Sequence, residues 1–91
     1  MQLDELRSRI DGIDAELVTL FEERMRLCAQ IAKYKQEHGI EVLDTSREDE
    51  VIRKITALCE SDIAPHAAEL YQAIFEISRS YQANITNTED V

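Results

Sequence analysis

The sequence predicts an all-α fold of three helices, one long and two shorter, with the long helix paired to that of a second copy. Three observations predict it. The 91 residues contain only two Gly and one Pro, and aromatics make up 5 %, too few turn and strand formers for a β protein. Apolar residues then recur in alternating steps of three and four from Leu3 to Tyr34, the spacing of one helix face. Finally, the sole Pro and the second Gly stand where helices begin and end.

The first helix is expected over residues 3–38. Its stripe runs through positions 3, 6, 10, 13, 17, 20, 24, 27, 31 and 34, and Phe21 and Cys28 widen it to a core-facing band. Gly12 is the one weak point, and Gly39 stops the helix. A rod of that length measures about 54 Å, whereas a compact chain of this size has a radius of gyration near 12 Å, about. The rod overhangs any such globule with its stripe bare, so a homodimer is expected. Residues 39–44 connect to a second helix. There Thr45-Ser46-Arg47-Glu48 matches a capping box with Thr45 as cap. That helix should run to Glu60 and bury Val51, Ile52, Ile55, Leu58 and Cys59. Pro65 suits the first position of a third helix, expected to Ala83 over Ala67, Leu70, Tyr71, Ile74, Phe75, Ile77 and Tyr81. Residues 1–83 form one domain, and 84–91 are read as a polar, frayed tail.

The net charge of −9 argues against nucleic acid and anionic membrane as partners. Neither a signal-like apolar run in MQLDELRSRID nor a membrane-length segment is found, and a cytoplasmic location is expected. Cys28 and Cys59 read as buried, reduced thiols. With no CxxC, and His38 and His66 far apart and expected in solvent at helix ends, no metal and no cofactor is expected. The sequon at Asn84 reads as coincidence.

Polar residues interrupt the apolar faces. Arg24 has Leu20, Phe21, Leu27 and Cys28 as its helical neighbours. Lys35 follows eleven residues later, within about 20° of the same face. Arg7 lies at the stripe edge, Glu48 precedes Val51 and Ile52, and Ser78 and Gln82 share a face of the third helix. Taken singly, each has a structural explanation. Arg24 can set register, Lys35 can complement the helix dipole, Glu48 can cap, and Ser78 can bond the preceding turn. Taken together, three inward cations lack an obvious counter-ion, and unpaired buried charge is too expensive to keep. A dianionic ligand resolves the imbalance. Arg7 and Arg24 are ~25 Å apart on one rod, but antiparallel long helices would bring Arg7 of one copy to the site of the other.

These residues resemble the all-helical chorismate mutases of the AroQ class over Leu3 to Gln82. LDELRSRIDGIDAELVTLFEERMRLCAQIAKYK is similar to that family's first helix, with Arg7, Arg24 and Lys35 at its ligand-binding positions. DTSRE (Asp44 to Glu48) resembles the motif opening its second helix, and EISRSYQ (Glu76 to Gln82) that of its third. The resemblance implies an intertwined homodimer converting chorismate to prephenate, toward phenylalanine and tyrosine. It implies that Arg24 and the partner copy's Arg7 clamp the two carboxylates with help from Ser78. Lys35 would touch a carboxylate and the ether oxygen, to which Gln82 would donate. Glu48 and the backbone N–H of Asp44 would hold the ring hydroxyl, and Arg47 would support the site. Ala64-Pro65 departs from the acidic cap expected at that turn. Three alternatives stand beside this reading. Two use the same fold: an isochorismate-pyruvate lyase, disfavoured by Glu48, and an aminodeoxychorismate mutase. The third is a non-catalytic helical dimer serving another pathway enzyme.

Overall fold

In the computed structural model, which describes residues 2–89, the chain forms three helices: α1 (Gln2–Glu37), α2 (Thr45–Ala57) and α3 (Ala64–Glu89). The fold is all-α as expected. Met1, Asp90 and Val91, the ends of the expected domain and tail, lie outside the described residues. No described helix is long and apolar enough to cross a membrane.

α1 ends as its sequence predicts. Gly39 adopts φ 66°, and the Ile40 and Gly39 amides donate back to the carbonyls of Lys35 (2.8 Å) and Gln36 (3.4 Å). This paired closure satisfies carbonyls that the last turn leaves open. α2 departs from expectation at both ends. Its cap is Asp44, not Thr45: the Asp44 carboxylate accepts the Arg47 amide at 3.0 Å. The shift of one residue removes Glu48 from the third helical position, where it would fold back onto the cap. α2 also stops at Ala57 rather than Glu60. Leu58 and Cys59 donate to carbonyls three residues back, a tighter winding typical of a helix end, and Leu58 is 86 % exposed instead of buried. α3 continues past Ala83 to Glu89. No Gly or Pro interrupts it, and the Thr86 hydroxyl donates to Gln82 and Ala83 carbonyls.

α3 is the element that packs against both α1 and α2. It meets α1 at Arg24, Met25 and Cys28, so the first half projects, and on the second half Leu27, Ile31 and Tyr34 still stay about half exposed. The molecule is 55 Å long with a radius of gyration of 16.4 Å, well above the roughly 12 Å of a compact chain this size. From Leu3 to Leu20 every stripe residue is more than half exposed. Leu70 and Ile77 on α3 are also exposed rather than buried. The two cysteines are free thiols, half-buried rather than fully buried. Among the described residues, the buried ones are Ala32, Phe75, Ser78 and Gln82. Half of that short set is polar, which directs attention to what surrounds Ser78 and Gln82.

The two glycines should respond oppositely to alanine. A Cβ at Gly12 meets nothing, so Gly12→Ala stabilises α1 by about 0.5–1 kcal/mol. At Gly39 the left-handed backbone strains any side chain, and Gly39→Ala destabilises by about 1–2 kcal/mol. Denaturant unfolding of both variants reads the sign of each.

Candidate active site

A cavity of about 160 Å³ opens where α1, the loop before α2, α2 and α3 converge. It is lined by Arg24, Lys35, Asp44, Arg47, Glu48, Ser78 and Gln82, with Cys28, Ile31, Val42, Val51, Phe75 and Arg79 completing the wall. Seven of the eight residues singled out in the sequence therefore share one cavity. The eighth, Arg7, does not line it. It stands exposed near the start of α1, and the helical rise separates it from Arg24 by ~25 Å.

The geometry of Arg24 explains how an apolar stripe tolerates it. Its guanidinium lies 5.7 Å from the Tyr71 ring centre and 5.8 Å from that of Phe75, within cation–π range. One nitrogen approaches Ser78 Oγ at 3.4 Å and Cys28 Sγ at 3.7 Å. These contacts are neutral. Lys35 Nζ donates to the Val42 carbonyl at 2.9 Å, which ties the connecting loop to the end of α1. Among the described residues, no carboxylate lies within ion-pair distance of Arg24 or Lys35.

The other charged groups are engaged. Glu48, freed from the cap, receives the Arg79 guanidinium. Arg79 was not singled out in the sequence. Arg47 pairs at 2.7 Å with Glu50, which also takes Lys54 at 3.1 Å. Asp44 is committed to the α2 cap. Among the described residues the lining therefore holds two cations without a carboxylate partner, Arg24 and Lys35, in a chain whose net charge is −9.

Gln82 is held from α3 by donating Nε2–H to the Cys28 carbonyl at 2.8 Å. An amide nitrogen carries two hydrogens, so this bond fixes the plane and leaves one N–H to aim. Lys35, with three N–H groups, likewise keeps two after bonding Val42. Both are donors held in place before any ligand arrives. The hydroxyl of Ser78 faces Met25 Sδ at 3.6 Å as a weak donor, leaving its oxygen able to accept from Arg24.

The family model for chorismate mutase type II matches residues 6–83 of the chain. A T-protein from Haemophilus influenzae is 44 % identical over 46 residues, covering 50 % of this chain but only 12 % of that protein. A chorismate mutase from Methanocaldococcus jannaschii is 29 % identical over 83 residues, 89 % of this chain and 84 % of its own. No solved structure matches significantly.

The Glu50 cluster gives a pH dependence with a defined sign. Hydrogen bonding to Lys54 first, then its charge and that of Arg47, hold the Glu50 carboxyl below the ordinary carboxylate value. A lowered native pKa adds stability above the unfolded-state value, and this is lost as pH falls through the native one. The pair is exposed, so the effect is small. Glu50→Gln should lower the melting temperature slightly at neutral pH. That difference should vanish in strong acid, as thermal melts across pH would read.

Proposed function

The chain belongs to the type II chorismate mutase family, and we propose that it rearranges chorismate to prephenate in a pair of sites shared by a homodimer. The observation that carries this reading is the pair of inward cations, Arg24 and Lys35, without a carboxylate partner among the described residues. Two unmatched positive charges suit a small dicarboxylate, and neutral ligands would leave them uncompensated.

The dimer is supported by two features of the single chain. The first half of α1 exposes Leu3, Leu6, Ile10, Ile13, Leu17 and Leu20, a longer apolar run than a monomer keeps in water. Arg7 lies on that same half, far from its own cavity. Antiparallel pairing of two α1 rods buries the stripe and carries Arg7 to the partner's Arg24.

The rearrangement breaks a carbon–oxygen bond and forms a carbon–carbon bond within one molecule. It requires no nucleophile and no proton transfer. Acceleration comes from holding a flexible dianion in its reactive shape and from stabilising the charge that gathers on the ether oxygen. Arg24 and the partner copy's Arg7 clamp the carboxylates, with Ser78 beside Arg24. Guanidinium groups suit this because they present paired N–H donors to a carboxylate. Lys35 and Gln82 direct their remaining N–H groups at the ether oxygen. These bonds strengthen as that oxygen becomes negative, so they lower the barrier rather than only tightening binding. Glu48 accepts the ring hydroxyl, the Asp44 backbone N–H donates to it, and Arg47 supports this edge of the cavity. Prephenate made here serves synthesis of phenylalanine and tyrosine, and the enzyme works in the cytoplasm.

Incubation with chorismate should consume it and yield prephenate, identified by its acid conversion to phenylpyruvate. Release of pyruvate instead would reassign the chain to a lyase. Lys35→Ala should lower kcat by roughly 10²–10³, and near-normal turnover would remove Lys35 from the chemistry. Arg7→Ala and Arg24→Ala chains, each inactive alone, should regain activity when mixed into heterodimers, because each mixed dimer contains one intact site. Silent heterodimers would sink the sharing of Arg7.

A further inference from the structure

We propose that Arg79 is a positioning residue: it captures the Glu48 carboxylate and so keeps it from neutralising Arg24 and Lys35. The proposal rests on the reading of this cavity as a dicarboxylate site. Two carboxylates line it, those of Asp44 and Glu48. Asp44 is fixed by the α2 cap. Glu48 stands at the fourth position of α2, beyond the reach-back geometry of a cap, and has no such restraint. A glutamate lining the same cavity as two uncompensated cations has an electrostatic reason to turn toward them. Doing so would occupy the clamp with an internal carboxylate and oppose an incoming one.

Arg79 supplies the competing partner. Its guanidinium donates to Glu48 Oε2 from α3, across the α2–α3 contact. The two side chains are 34 % and 22 % exposed, shielded enough for the pair to be directional. A guanidinium holds a carboxylate in a fixed plane better than an ammonium does. Glu48 thus stays an acceptor held by Arg79, while Arg24 and Lys35, in the same lining, stay open to a ligand. No covalent step involves Arg79.

Three variants test this alongside the wild type. Arg79→Leu should raise KM for chorismate about tenfold, within the range of coupling between contacting residues, with a much smaller change in kcat. Arg79→Lys should recover most of the affinity. The double variant Arg79→Leu/Glu48→Gln should bind no worse than Glu48→Gln alone, because no carboxylate remains to intrude. If the losses of the two single variants multiply in the double variant, Arg79 acts independently of Glu48 and the proposal fails. A second readout needs no turnover. The NMR signal of the Lys35 ammonium in the free protein should shift in Arg79→Leu and return when Glu48→Gln is added. An unmoved signal overturns the proposal, even if chorismate is a good substrate. Failure of the wild type to consume chorismate would instead remove the catalytic reading and leave this signal to decide the role of Arg79.

Discussion

Two cations without counter-ions set the terms for the rest of this molecule. Arg24 and Lys35 sit on the inward face of α1, and the structure surrounds them with neutral partners: two aromatic rings, a hydroxyl, a thiol and a backbone carbonyl. Each neutral contact recovers part of the lost hydration and none cancels the charge. The carboxylates nearby are each engaged elsewhere, in a helix cap or with other arginines. Such an arrangement stores affinity for an anion inside a chain whose global field repels anions. The selectivity proposed here therefore comes from local charge, since the long-range field opposes it.

The same constraint accounts for an unusual core. A chain of this size can bury little apolar surface on its own, and here two of its few buried residues are Ser78 and Gln82. Their burial serves the cavity more than it serves stability. The apolar surface that could compensate lies along α1, from Leu3 to Tyr34, where it remains in water in the single chain. The cavity lies on the second half of that helix, while the exposed stripe runs along its whole length, from Leu3 to Tyr34. On the proposed reading, pairing of two copies joins stability to function, because the surface that stabilises the dimer also delivers Arg7.

Much of this was legible in the sequence because helix periodicity is local information. The three-four spacing located α1 to within a residue at each end, and Gly39 marked its stop. The neighbours of Arg24 and Lys35 identified both as inward, which needs only the helical repeat. The start of α2 was harder. Asp44 and Thr45 are both good caps, and the spacing to Glu48 favoured Thr45. The structure uses Asp44, and that one-residue difference turns Glu48 by about 100° around the helix and releases it from the backbone. The Leu58 error has the same origin, since a periodic pattern predicts burial only while the helix lasts. Arg79 could not be found by spacing at all. It stands beside Ser78 in sequence, on a different face, and its meaning comes from a partner on another helix, thirty-one residues away.

For the proposed rearrangement, this division of labour has a mechanistic consequence. A reaction that transfers no proton gains nothing from a titrating side chain, so the useful groups are those whose charge and direction are constant. Arg24 is held by aromatic faces, Lys35 by a loop carbonyl and Gln82 by the Cys28 carbonyl. In each case one interaction fixes the group and the remaining donors stay free. Orientation is then settled during folding, and little reorganisation is left for the reaction itself. Glu48 is the exception, a charge of the wrong sign for a dianion site. Arg79 is the group that touches it, and on the proposed reading it leaves Glu48 available to the ring hydroxyl while holding it off Arg24 and Lys35.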